Sequence, residues 1–328
     1  MPSDPALLSF VQSLPKTETH LHLEGALPLE LLQRVRPEFK EPPMSWAHNF
    51  KFRDFAHFEQ ELLDMAFSWF TSPEHYHEAA RIIFARHVAQ NVKYVETSFA
   101  SGVIEFGGLN GREVLSAIRS AVPAGLEVRV FLGIHHNGAG GKMKVVLDEA
   151  LTWPDLAGID LHGFEDVPIE PWTAPYWAAA RQAGKYTKAH AGEFMGAGFI
   201  GRVLQDLQPQ RIEHGVRCIE DPVVVEEIKR RGIALDMCPI SNHKLMPGIS
   251  LANHPIRKLF DAGVKITIST DDPISFGNTV TDDYVALAER SGFSRKELVQ
   301  LARNGFEVAL LSDGRKKPWL DQLDQFLR

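Results

Sequence analysis

Eight short runs rich in Val, Ile and Thr alternate along this chain with longer segments of helical periodicity, and that alternation is the strongest constraint on its fold. The runs span residues 17–24, 94–99, 127–135, 156–163, 186–193, 211–215, 234–238 and 265–270, and most end at Gly, Pro, Asp or Asn. Helical patterns occupy residues 75–90, 111–121, 174–183, 222–230 and 254–262. Parallel strands need long crossover connections, usually helical, so the pattern predicts βαβ units. Eight such units predict an α/β fold closed into a (β/α)8 TIM-type barrel. An open doubly wound sheet is the alternative, because periodicity does not show closure.

Two stretches exceed a minimal barrel. Residues 43–74 lie between the first and second strands and contain an aromatic-rich helical piece, 52–70, expected either to cover the barrel mouth by packing or to act as a substrate lid. The tail, 294–328, reads as two further helices. No repeat, low-complexity tract or linker interrupts the 328 residues, which are expected to form one domain.

The charge count excludes several classes of function. Lys and Arg number 35 against 42 Asp and Glu, a net charge of −7, which argues against a nucleic-acid or anionic-membrane partner. With 44% hydrophobic and 23% charged residues the composition is that of an ordinary globular chain. Only Cys218 and Cys238 are present, so neither a disulfide framework nor a four-cysteine zinc knuckle is possible. Residues 1–15 lack the basic and apolar regions of a signal peptide, and no apolar run approaches the ~18 residues of a membrane span. A cytoplasmic location is expected; oligomeric state is left open.

The chemistry-bearing residues gather at the ends of the expected strands. His20 and His22 stand two apart, a spacing that turns both imidazoles to one face of a strand and suits a zinc ion. His190 and Glu193 close the fifth run, His214 the sixth, and Asp271 and Asp272 the eighth. Unpartnered buried His, Glu or Asp is costly, so these coincidences point to one shared site. Other histidines, among them His48, His57, His75, His77, His87, His136 and His254, fall on helical or loop stretches and are expected at the solvated surface.

Taken in order, PKTETHLHLEGAL, YVETSF, GIDLHG, HAGE, RIEHGVR, CPISN and STDDP carry a family resemblance. The chain resembles the adenosine deaminase family of zinc hydrolases, within the amidohydrolase-type barrels, from Pro15 to about Leu311. The resemblance implies zinc ligation by His20, His22, His190 and Asp271. It implies that Glu193 gives a proton to purine N1, and that His214 orients or deprotonates the metal-bound water. It further implies that Asp272 contacts that water and purine N7, and that the Gly163 N–H contacts N3. The expected substrate-binding residues are therefore His22, Glu24, Gly163 and Asp272.

The chemistry stands on its own terms. Hydrolysis of an aromatic amine needs a strong nucleophile at neutral pH and a way to break ring aromaticity. A divalent metal supplies the first, and a carboxylic acid that protonates the adjacent ring nitrogen supplies the second. Lysine is absent from the fourth run, where related two-metal barrels often bridge their ions, so one Zn²⁺ per chain is expected. Lys188 is expected to form a salt bridge to Glu18 or Glu96 beneath the site. Cys238 reads as a packed core thiol, and the CPISN segment as a structural strand end with no catalytic part.

Three departures from the family bear on substrate: Glu24 where many members carry Asp, Phe164 within Gly163-Phe164-Glu165, and Ser98 in place of an arginine. Glu24, expected on the strand face of His22, is the candidate for reading ribose. The leading expectation is deamination of adenosine to inosine. The alternatives are deamination of adenine or of an aminodeoxyfutalosine-type nucleoside, and, more remotely, a catalytically silent nucleoside-binding paralogue.

Overall fold

The computed structural model describes residues 4–138 and 143–327. The first and last residues of the expected single domain therefore lie outside the described residues. Eight strands form one parallel sheet in sequential order. They are β1 (Lys16–Glu18), β2 (Val92–Ala100), β3 (Glu127–His135), β4 (Gly158–His162), β5 (Tyr186–Ala191), β6 (Arg211–His214), β7 (Ala234–Met237) and β8 (Ile266–Ile268). Helices follow the strands, and the sheet curls into the (β/α)8 barrel expected from the alternation.

The largest difference from the expectation lies at the seam where β8 meets β1. The first run was expected to be extended over 17–24, yet β1 ends at Glu18, and β8 spans three residues of the expected six. No continuous ladder joins the two. Below the mouth, the Ser269 hydroxyl accepts hydrogen bonds from the Thr19 and His20 N–H groups at 2.9 and 3.1 Å. At the mouth, an isolated bridge pairs Leu21 with Asp271, and another pairs His22 with Ser98. A side chain substitutes for the ladder, and so the backbone leaves strand geometry where the histidines begin. Glu24 consequently lies not on a strand but in a 3₁₀ turn, Glu24–Ala26.

The tail forms the two expected helices, Arg295–Val308 and Asp313–Gln325. The first covers the seam. Its Asn304 amide donates to the Ile266 carbonyl at 2.9 Å, and its Gly305 lies so close that an added Cβ would sit 1.9 Å from the Thr17 hydroxyl oxygen. The Ser294–Glu297 capping box starts this helix, and Trp319 of the second stacks on Phe306.

The insertion forms the helix Phe55–Trp69, capped by the Asp54 carboxylate on the His57 N–H at 2.8 Å. Phe52 and Phe58 pack with Leu245 and Phe276 in an apolar cluster of their own over the barrel mouth. Phe67 differs from its neighbours: it is 37% exposed and meets only Phe106 edge-on among the aromatic rings, away from the mouth.

Several histidines also depart from the expected surface placement. His87, His136 and His254 are buried. Each is accepted into the interior by a polar partner: Glu18 and the Ile83 carbonyl for His87, the Val167 carbonyl for His136, and Asn242 for His254. His48 is exposed, and His57, His75 and His77 are half-buried. Among the described residues no helix is long and apolar enough to cross a membrane.

The seam yields a stability prediction. Gly305→Ala is expected to destabilise the protein by ~1–3 kcal/mol, the usual cost of overpacking a filled interior. Gly314→Ala, where nothing lies within 4 Å of the added methyl, is expected to be neutral or slightly stabilising. Urea unfolding of both variants measures the difference.

Candidate active site

Four side chains meet where the seam opens at the barrel mouth. His20 and His22 come from the segment after β1, His190 from β5, and Asp271 from the turn after β8, where it adopts a left-handed φ of 72°. The His22 Nε2 atom lies 3.3 Å from His20 Nε2, 3.2 Å from His190 Nε2 and 3.1 Å from Asp271 Oδ1, which is 3.2 Å from His20 Nε2. Bonds of ~2.0–2.1 Å in a tetrahedral zinc site set its donor atoms ~3.3 Å apart along each edge. The observed separations match that spacing, and three imidazoles with one carboxylate make a donor set suited to a divalent ion.

The opposite edge of each ligand is fixed from behind. His20 Nδ1 lies 2.8 Å from a Glu213 oxygen, His190 Nδ1 lies 3.4 Å from Asp160, and His22 Nδ1 lies 3.2 Å from the Ser98 hydroxyl. The Ser241 hydroxyl donates to the free Asp271 oxygen at 2.7 Å. Such outer partners select the tautomer that leaves each Nε2 lone pair directed inward. Beneath them Lys188 bridges Glu96 at 2.8 Å and Glu213 at 2.7 Å. Of the two partners expected for it, Glu96 is therefore the one used. Glu18 instead accepts hydrogen bonds from the Thr270 N–H and hydroxyl, both at 2.9 Å. Cys238 is a buried free thiol, its pKa pushed well up by burial.

Beside this cluster lie Glu193, His214 and Asp272. His214 Nε2 is 3.5 Å from Glu193 Oε2. Burial, then the nearby Asp271 and Glu165 charges, raises the Glu193 carboxyl well above the usual range, which favours its protonated form. Burial, then Asp271, does the same to Asp272. Burial holds the His214 imidazole well below its ordinary pKa and hence neutral. One Asp272 oxygen would lie 1.7 Å from a Cβ at position 25, so only glycine there leaves room for it.

The CPISN segment is part of this machinery, contrary to the expectation from sequence. It forms the helix Pro239–Leu245, and its Asn242 amide lies 3.3 Å from Glu193 Oε1 and 3.1 Å from His214 Nδ1. The Asn242 carbonyl faces His254 Nε2 at 3.3 Å. Glu165 is a second residue the motifs did not single out. Its carboxylate accepts the N–H groups of Glu193, Phe194 and Met195 at 3.0, 3.0 and 2.6 Å, and so fixes the loop that presents Glu193. A Pro at a helix start and a Glu after the fourth strand were the available signals; neither shows direction without the fold.

The cavity above these groups is lined by Glu24, Gly163, His135 and His162, with Phe55, Phe58 and Leu62 from the insertion. Gly163 has a φ of 91°, a backbone that favours glycine. Glu24 is buried, and its Oε1 accepts both the Tyr76 hydroxyl at 2.7 Å and the Ala100 N–H at 3.0 Å. Phe164 packs edge-on against Phe55, with ring centroids 4.8 Å apart.

The family model described as adenosine deaminase matches residues 15–326. The chain belongs to the adenosine deaminase family. An adenine deaminase from Rhodopseudomonas palustris is 30% identical over 342 residues, covering 98% of this chain and 96% of the relative. The crystal structure of an adenine deaminase from Arthrobacter aurescens superposes with a TM-score of 0.85 at 25% identity, covering 96% of this chain and 99% of that one. An amidohydrolase from Burkholderia ambifaria, solved with bound zinc, shares the fold with a TM-score of 0.82 at 22% identity, covering 100% of this chain and 95% of its own. Within this deaminase family, Asn242 offers the sharpest test of the geometry. Asn242→Ala is expected to lower kcat by ~10–100-fold, the scale of a lost buried hydrogen bond to a reacting group, while metal content stays unchanged. Steady-state kinetics with elemental analysis checks both.

Proposed function

We propose that this chain hydrolyses the 6-amino group of free adenine to hypoxanthine and ammonia, using one zinc ion per chain. Adenosine, the first expectation from sequence, gives way to the base. The supporting observation is Glu24: one oxygen of the carboxylate expected to read ribose already accepts the Tyr76 hydroxyl and the Ala100 N–H inside the wall. The relatives' names agree with that choice. A nucleotide is disfavoured, because the cavity contains no Lys or Arg among its described lining residues and several carboxylates that would repel phosphate.

The roles follow from the geometry. His20, His22, His190 and Asp271 would hold the ion, which lowers the pKa of a water toward neutrality and so supplies a nucleophile. Neutral His214 accepts a proton from the attacking water. Glu193, kept as the carboxylic acid, donates to ring N1, which makes C6 electrophilic. Asp272 hydrogen-bonds N7, and the Gly163 N–H is directed to N3. The C6–O bond forms as the water proton passes to His214. His214 returns that proton to the amine, and the C6–N bond breaks to release ammonia. The new C6 hydroxyl gives its proton to Glu193, which leaves hypoxanthine and restores both groups. Phe55 and Phe58 exclude bulk water from the base.

Ligand and acid roles separate by mutation. His20→Ala is expected to lose both metal and turnover. Glu193→Gln is expected to keep one metal and its fold while losing ~10²–10⁴-fold in kcat. Elemental analysis beside kinetics decides; two metals required for full activity, or near-normal turnover in Glu193→Gln, overturns the assignment.

Substrate choice and the insertion are tested together by ammonia release from adenine, adenosine and AMP. Adenine is expected to have the highest kcat/KM. Phe55→Ala and Phe58→Ala are expected to raise its KM severalfold, whereas Phe67→Ala, remote from the cavity, leaves it unchanged. A preference for adenosine restores the nucleoside reading.

A further inference from the structure

Five imidazoles line the cavity, those of His22, His135, His162, His190 and His214. Four have hydrogen-bond partners: Ser98 for His22, Asp160 for His162 and His190, and Asn242 for His214. Among the described residues, His135 has none on either ring nitrogen. It ends β3, in register with His162 on β4. Its flanking His136 is anchored by Nδ1 to the Val167 carbonyl, whereas His135 has no such anchor.

The ring occupies a slot that two glycines keep open. A Cβ at Gly163 would lie 2.8 Å from His135 Nδ1, and one at Gly102 would lie 3.3 Å from its Nε2. Any larger residue at either position would press on the imidazole. The half-buried ring therefore faces the ligand cavity with hydrogen-bonding capacity that a bound ligand can use.

We propose that His135 is a specificity residue that reads the purine's N9 position. The proposal rests on the adenine reading and on the pose that directs the Gly163 N–H to N3. In a purine, N9 adjoins N3 across a single ring carbon, so the group beside Gly163 faces the N9 side. Free adenine carries a hydrogen there, which an imidazole nitrogen accepts; a nucleoside carries a sugar and offers no donor. Burial and the neighbouring His22 lower the His135 pKa, consistent with a neutral ring that has an acceptor nitrogen.

The test uses the metal-loaded protein and two unreactive ligands, hypoxanthine and 9-methylhypoxanthine, with binding measured by calorimetry. Wild type is expected to bind hypoxanthine about tenfold or more tightly than its methylated analogue. His135→Leu and His135→Asn are expected to bring that ratio close to one, and continued binding of 9-methylhypoxanthine shows that the pocket is folded. His135→Gln, which retains an acceptor of similar reach, is expected to keep part of the discrimination. A wild-type ratio near one, or a ratio unchanged in both the leucine and asparagine variants, overturns the assignment. Failure of wild type to deaminate adenine is a separate result that overturns the proposed activity, because the binding ratio does not depend on turnover.

Discussion

The structure depends on a buried layer of ion pairs beneath the metal-binding cluster. Lys188 on β5 ties Glu96 on β2 to Glu213 on β6, and Arg211 pairs with Glu96 and Asp236. All five groups are buried. Isolated charges at such depth cost several kcal/mol each, so the layer persists only because each member has an opposite charge in contact. Glu213 uses its second oxygen on His20, and the layer thereby extends into the site above. Three carboxylates face two cations, which leaves negative charge directed at His20. That surplus favours a cation above it, whether an imidazolium or a metal.

Above that floor, one cavity holds carboxyl groups whose pKa values are shifted in opposite directions. Asp271 contacts His20 and His22, and these partners hold its pKa well below the usual range. Glu193 and Asp272 are equally buried but lack a cation in contact, and the ionised Asp271 beside them pushes both upward. Like charges this close resist being ionised together, so environment alone shifts carboxyl groups of similar chemistry in opposite directions. Asn242 places its amide between Glu193 and His214, and His254 behind it faces the amide carbonyl.

The cavity wall sets apolar surface from the insertion against imidazoles and carboxyl groups from the barrel. The insertion contributes apolar surface, and its Phe58 stacks on Phe276, which follows directly on the turn bearing Asp271 and Asp272. The insertion thus packs directly on the short helix that follows the turn carrying those carboxylates. Glycines at 25, 102 and 163 admit Asp272 and His135 to positions that any side chain there would obstruct.

The sequence by itself determined the barrel and much of the site. Strand and helix periods are local properties, and the residues at the ends of β5, β6 and β8 were visible as chemistry-bearing side chains before turn-formers. His20 and His22 were legible from their spacing, the ligand set with His190 and Asp271 came from the family resemblance, and the structure brings all four together. Contacts across the fold were not legible. Nothing local marks Asn242 as the partner of Glu193, Glu165 as the clamp of its loop, or His135 as the unpartnered ring, because each acquires its neighbours from a strand or helix distant in the chain. The early end of β1 was equally hidden: strand propensity runs on through residue 24, whereas at the closing seam the Ser269 side chain takes the Thr19 and His20 N–H groups. The placement of Glu24 was hidden for the same reason, since its position in a turn and its bond to Tyr76 exist only after the barrel closes. Local periodicity fixes what each segment can become, but burial and charge pairing across the closed barrel decide which side chains act on a substrate.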